Sequence, residues 1–386
     1  METEFDQLQQ ALDRGGVNAA LDQLAEHLRE HKKYHELFEA LKMKVRFDLG
    51  LPLTYSDAGD DLAESTRTKL EDGLIAACRD VGMALLREGA VREGWMYLRP
   101  VGDRTAAAAE LANIEANEEN LDALIEVSLH EGVDPKRGYA LVLEHHGTCN
   151  AITTYESVVV RQSTTAQQAA AGLLVEHVHG ELLATVRADI AQQQGAEPKE
   201  TTLKELVADR DWLFGEHSYH LDTTHLASTV RFSRLLEDES QLRLALDLTA
   251  YGRRLSSQFQ YKGDQPFEDI YPSHAFYLGA LLGEDVDAAV EYFRERAESL
   301  DPREHGGLPV EAYVQLLDRL GRYAPAIGAL LDFVQVQPDA ATQVVPLLLE
   351  LSRKSGNFDR LINYCRERGD LLGYATAALC SAATQH

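Results

Sequence analysis

The sequence predicts an all-α protein built from stacked helix pairs. Three observations carry that expectation. Apolar residues recur with a helical period in nearly every segment, and strand-like alternation is nearly absent. Glycine-marked breaks divide the periodic stretches at short intervals. With 45% hydrophobic and 26% charged residues over 386 positions, the chain can bury a large core.

Taken in order, Leu21, Leu24 and Leu28, then Leu37 and Leu41, mark two amphipathic helices after a Gly15-Gly16 break. Leu74 to Leu86 and Trp95 to Leu98 read as a second pair, separated by Gly89. Leu121, Leu124 and Ile125, then Tyr139 to Leu143, read as a third, separated by Gly132 and Asp134-Pro135. The C-terminal tract repeats the pattern most clearly. Leu316, Leu317 and Leu320 end at Gly321, and Ile327, Leu330, Leu331 and Phe333 follow. Leu347 to Leu351 end near Gly356, and Leu361, Ile362 and Tyr364 follow.

Gly321 and Gly356 stand 35 residues apart in equivalent contexts. That spacing is close to the period of about 34 residues of tetratricopeptide (TPR) repeats. The tract from 285 to 386 therefore resembles a TPR-like α-solenoid, and the first 139 residues resemble it more weakly, with Gly89 and Gly132 being 43 apart. The Trp, Gly-Tyr and Pro positions of the TPR consensus are not met. The resemblance implies a helical-repeat architecture and carries no catalytic residues. One helix pair cannot bury its own apolar face, so such pairs are expected to stack into a continuous core. Three segments are expected on this basis: N-terminal helix pairs over 1–139, an irregular histidine-rich central region over 140–284, and TPR-like pairs over 285–386.

Eight of the fourteen histidines fall between His145 and His274, which singles out the middle segment for chemistry. The densest run is Glu216-His217-Ser218-Tyr219-His220-Leu221-Asp222-Thr223-Thr224-His225. On a helix, His217 and His220 would lie about 60° apart on one face, with His225 and Asp222 close to it. Neutral imidazole is the commonest metal ligand and carboxylates are its usual oxygen partners. A divalent metal held by His217, His220, Asp222 and His225 is the expectation; a polar helix face is the plainer alternative. No His-Glu-x-x-His metalloprotease signature is present. The second candidate is Glu176-His177-Val178-His179-Gly180-Glu181, where His177 aligns with Glu181 four residues on. His177, His179 and Glu181 are assigned to the same metal. A single Glu-x-x-His does not make a di-iron site, which needs two such motifs.

His145 and Glu156 flank a small polar stretch around Gly147, and Glu156 is the preferred general base, with His145 beside it. Cys149 in the same stretch is a weaker candidate nucleophile. Arg231 is assigned to a substrate anion, and Arg234, Arg253, Arg254 and Lys262 are further candidates against surface pairing with Glu237, Asp238 and Glu239. Tyr261, Tyr271, His274 and Tyr277 are read either as pocket lining or as core aromatics. Outside this region, His27, His31 and His35 recur every four residues among charged neighbours and read as a solvated face.

The leading functional expectation is a metal-dependent hydrolase or lyase acting on a small polar or anionic substrate. Zn²⁺ is the first choice of metal, and Fe²⁺ or Mn²⁺ suit a mixed histidine and carboxylate set. The alternative is a TPR-like scaffold that binds a protein or peptide, or a second copy of itself. A net charge of −26 speaks against nucleic acid and anionic membranes as partners. Phosphate-binding glycine loops are absent. Four dispersed cysteines, an acidic start without an apolar signal core, and no apolar run of membrane length point to a cytoplasmic protein.

Overall fold

A computed structural model describes residues 3–54, 62–215 and 219–384. Among these residues the fold is all-α, and the sole β feature is an isolated antiparallel bridge between Lys262 and Asp269. The chain divides into two compact units, residues 1–170 and 171–386, the division falling inside what the sequence marks as the central region.

The first unit contains α1 (Glu4–Glu30), α2 (Tyr34–Asp48), α3 (Glu64–Arg87), α4 (Val91–Leu98), α5 (Arg104–Leu111), α6 (Leu121–Ile125) and α7 (Pro135–Ser157). The long α8 (Thr164–Gln194) runs through the division. The second unit continues with α9 (Leu203–Val207), α10 (Thr223–Phe232), α11 (Glu239–Gly252), α12 (Ile270–Leu281) and α13 (Val286–Ser299). It ends with α14 (Pro302–His305), α15 (Leu308–Arg319), α16 (Tyr323–Val336), α17 (Ala341–Ser355), α18 (Asp359–Glu367) and α19 (Leu371–Thr384).

Packing follows sequence order. In the first unit α1 packs on α2, α2 on α3 and α3 on α4. In the second, α11 packs on α12, α12 on α13, α13 on α15, α15 on α16, α16 on α17 and α18 on α19. Each helix buries its apolar stripe against its chain neighbours, which is how a helical-repeat solenoid makes a core. Leu28, Leu37, Ala40, Val81 and Leu85 form one such layer across α1, α2 and α3.

The glycine breaks have one recurring physical form. At Gly50, Gly89, Gly283, Gly321 and Gly369 the glycine sits in the left-handed region, with φ between 68° and 83°. Its amide and the next one close the preceding helix, as in Gly89 N to Leu86 O (2.9 Å) and Ala90 N to Leu85 O (3.0 Å). This paired closure satisfies carbonyls that the helix end leaves open. Gly321 separates α15 from α16 and Gly356 separates α17 from α18, in register with the spacing seen in the sequence.

Two breaks lie inside helices. Gly16 (φ 72°, ψ −164°) folds the N-terminal part of α1 back on the rest, so that Glu4 reaches His27. Gly147 (φ 79°, ψ 173°) kinks α7 between His145 and Glu156. Lys32, with φ 55°, ends α1, and His35 therefore belongs to α2. The three-histidine stripe over 27–35 is accordingly not one helix face.

Candidate functional site

The second unit holds a cleft of about 510 Å³ whose walls come from α8, α9, α11, α12 and the turn before α13. Asp247 on α11 organises it. The helix α9 starts at Thr202, whose hydroxyl accepts from Glu205 N (3.2 Å) while Glu205 Oε2 accepts from Thr202 N (3.3 Å). That capping box leaves the first two amides of α9 open. Asp247 takes both: Leu203 N donates to Oδ2 and Lys204 N to Oδ1, each at 2.7 Å. His179 Nε2 donates to the same Oδ2 at 2.8 Å. The His179 and Asp247 side chains are only 9% and 11% exposed, so this carboxylate is a buried staple between α8, α9 and α11.

A second histidine and carboxylate pair lies in the same unit. His220 Nε2 donates to Asp189 Oδ2 (3.1 Å), and its Nδ1 accepts from the Tyr251 hydroxyl (2.8 Å). The His220 amide donates to that hydroxyl as well, at 3.1 Å. Burial pushes the Tyr251 phenol up to about 12, which keeps it a neutral donor. Both ring nitrogens of His220 are therefore engaged, and they tie the segment before α10 to α8 and α11.

The remaining sequence candidates fall as follows. His217 lies outside the described residues. The single helix expected over 217–225 is not what forms around His220. Asp222 is the N-cap of α10, accepting from Thr224 N (2.8 Å), and His225 sits in the first turn. A side chain that bonds the amide two residues on favours a cap over a helix interior, and this breaks the expected phase. Hydrogen bonds from Thr224 hold the Asp222 carboxyl below the usual carboxylate range. His177, part-exposed, faces the exposed Glu181 along α8 at 3.4 Å. His179 points elsewhere, because positions two apart on a helix do not share a face.

Among the described residues, no three of His177, His179, Glu181, His220, Asp222 and His225 bring ligand atoms within 4.8 Å of one another. His145 and Glu156 are exposed residues of the first unit, one on each side of the α7 kink. Arg231 does not line the cleft. It bonds Ser228 Oγ (3.1 Å), and its charge helps depress the buried His274.

Of the other cations, Arg253 lines the cleft. Arg254 bonds the end of α9 and Asp211, Lys262 pairs with Glu268 at 2.6 Å, and Arg234 lies over the Phe267 ring. Tyr271, His274 and Tyr277 are core residues, whereas Tyr261 is 42% exposed. The sequence reading missed Asp247, Lys204, Asp189 and Tyr251. A usable signal was present for Asp247: it directly precedes the run from Leu248 to Gly252, which is buried at every position. A carboxylate next to such a run needs partners.

The cleft floor is apolar, with Leu244, Leu246, Ala250, Pro272, Ala275 and Phe276. Its rim is charged at both signs. Lys204, Arg243 and Arg253 are its cations, and Glu284 and Asp285 are acids of the same lining. Arg243 pairs with Glu239 on its own helix (2.6 Å). An arrangement of this kind can hold an extended ligand with an apolar group flanked by opposite charges.

No family model and no curated protein matches the chain. A solved structure described as a circular tandem repeat protein with novel repeat topology and enhanced subunit contact surfaces is 16% identical, over 98% of this chain and 87% of that one. Its TM-score of 0.16 is too low to bear on fold or function.

Proposed function

We propose that the protein is a helical-repeat binding protein, and that the cleft of its second unit takes a short mixed-charge peptide segment of a partner. The observation that carries this reading is the cleft rim. Lys204, Arg253, Glu284 and Asp285 all border one apolar floor, and no ion pair joins them to another described residue. In a chain of net charge −26, two cations beside a cleft with no ion-pair partner among the described residues form a local exception suited to a carboxylate. The two rim acids suit a lysine or arginine side chain, and the floor suits an apolar residue between them. Asp247 also lines the cleft, and three of its acceptor positions are already taken by His179 and two amides.

The test is peptide display against the untagged protein, with Lys204→Glu and Arg253→Glu as counter-selection. Enrichment of peptides carrying an acidic and a basic residue around an apolar one is expected, lost in both variants. The second reading is the metal-dependent hydrolase or lyase, favoured by the His179 pair: a carboxylate that orients an imidazole is the usual support of a metal ligand. Stoichiometric transition metal that disappears in His179→Ala, with no peptide dependent on Lys204 or Arg253, would displace the peptide reading in its favour.

A further inference from the structure

We infer a divalent-metal site in the first unit, formed by Glu4, His27 and His31, that fastens the N-terminal part of α1 to the rest of that helix. Among the described residues, this is a set of three histidine or carboxylate groups whose ligand atoms all lie within 4.8 Å of one another.

The site follows from the chain's local geometry. His27 and His31 are four residues apart near the end of α1, so their rings share a face, with centroids 4.1 Å apart. His31 Nδ1 donates to the His27 carbonyl at 2.8 Å. That bond fixes the neutral tautomer and leaves the Nε2 lone pair facing outward, which is how backbone carbonyls orient histidine ligands. The third group arrives by the fold-back at Gly16, a conformation (φ 72°, ψ −164°) that side-chain-bearing residues rarely adopt. It sets Glu4 Oε2 3.5 Å from His27 Nε2.

The separation is compatible with a shared ion. A charge-assisted hydrogen bond closes to about 2.7–2.9 Å. Ligand atoms around tetrahedral zinc, at about 2.0–2.1 Å from the ion, lie roughly 3.3–3.4 Å apart. At 3.5 Å the Glu4 and His27 groups lie near that spacing, and His31 completes the set within 4.8 Å. His27 is 20% exposed and Glu4 63%, so the remaining coordination position opens to water. Two imidazoles and one carboxylate suit Zn²⁺ first among the available first-row ions. His35 takes no part: it lies on α2 and its Nδ1 bonds the Tyr97 hydroxyl at 2.9 Å.

The ion would act on structure. The N-terminal part of α1 exposes Phe5 at 80% and meets the rest of the helix across a gap of about 170 Å³ lined by Phe5, Leu8 and Leu24. That is a thin apolar contact for a terminal segment. A metal bridging Glu4 to His27 and His31 closes it from the outer edge and binds only the folded-back form, so binding stabilises that form by mass action.

The experiment is Zn²⁺ titration of the untagged full chain by calorimetry, paired with hydrogen exchange of residues 4–15. The expected result is a site whose affinity falls at least tenfold in His27→Ala, His31→Ala and Glu4→Gln, and not in His35→Ala. Zn²⁺ should slow exchange over residues 4–15 in the parent and in His35→Ala alone. Unchanged Zn²⁺ stoichiometry and affinity in the His27→Ala/His31→Ala double variant would overturn the site. Loss on histidine substitution with Glu4→Gln silent would reduce it to a surface histidine pair and overturn the fastening role. These outcomes do not depend on the cleft of the second unit.

Discussion

Asp247→Asn tests the staple that shapes the cleft. The carboxylate accepts Leu203 N, Lys204 N and His179 Nε2, and its side chain is 11% exposed. Hydrogen bonds to a charged acceptor contribute about 1.5–3 kcal/mol each, and neutral ones about 0.5–1.5 kcal/mol. Asparagine keeps one carbonyl oxygen, which can still serve one α9 amide. Its NH2 group then faces the other amide, and that donor loses its partner at about 1–3 kcal/mol. Together with the weakened remaining bonds, the loss comes to roughly 2–4 kcal/mol. Urea unfolding should show a lower midpoint at unchanged slope, and exchange of the α9 amides should accelerate more than that of α15. A double-mutant cycle with His179→Gln should give a coupling of about 1 kcal/mol or more, since the two groups share one bond. A change below about 0.5 kcal/mol, or strict additivity with His179→Gln, would refute the reading of Asp247 as a shared buried acceptor.

Two further outcomes are expected. Gly89→Ala and Gly321→Ala should each cost about 1–2 kcal/mol by denaturant titration, because φ is 81° and 70° while an added Cβ meets nothing within 4 Å. Gly180→Ala, on the exposed face of α8 with equally open space, should instead stabilise by about 1 kcal/mol; equal effects at the three positions would contradict the backbone account. His274 is fully buried, its Nδ1 donates to Ile270 O (2.6 Å), and burial together with Arg234 and Arg231 pushes it down to about 3. Because the folded value lies below the unfolded 6.5, the unfolded chain binds the proton first, and stability falls as pH drops below about 6.5, at up to about 1.4 kcal/mol per pH unit. His274→Phe should flatten that part of the stability profile between about pH 4.5 and 6.5; an unchanged slope would show that His274 does not carry it.

The helical architecture was legible because its determinants are local. Apolar periodicity placed the helices, and glycines at left-handed positions closed them, so Gly89 and Gly321 read the same way in sequence and in structure. The kink at Gly147 falls in the small polar stretch that the sequence places around it. The site was less legible because its determinants are distant. Asp247 meets His179 across 68 positions, and His220 meets Asp189 and Tyr251 across 31. No spacing rule connects such residues. The run from His217 to His225 misled for a local reason: Asp222 followed by two threonines is a helix start, and a cap at that point separates His220 from His225. Likewise, Lys32 in the left-handed region splits His35 from His27 and His31.

Two histidines of the central crowding, His179 and His220, hold polar ties between helices. A histidine in a buried position can donate one proton and accept another, so it can join two polar groups that would otherwise lack partners. His220 does this between Asp189 and Tyr251, and His179 supplies the third donor to a carboxylate already holding the start of α9. Short helices such as α9, at five residues, contribute little stability of their own and depend on such ties. Where α8, α9 and α11 meet, the ties fix the backbone that presents Lys204 and Arg253 at the cleft rim. If the cleft takes a peptide as proposed, His179, which lines it, holds α9 in place through Asp247, and substituting His179 should change ligand affinity through the position of α9 as well as at the cleft wall.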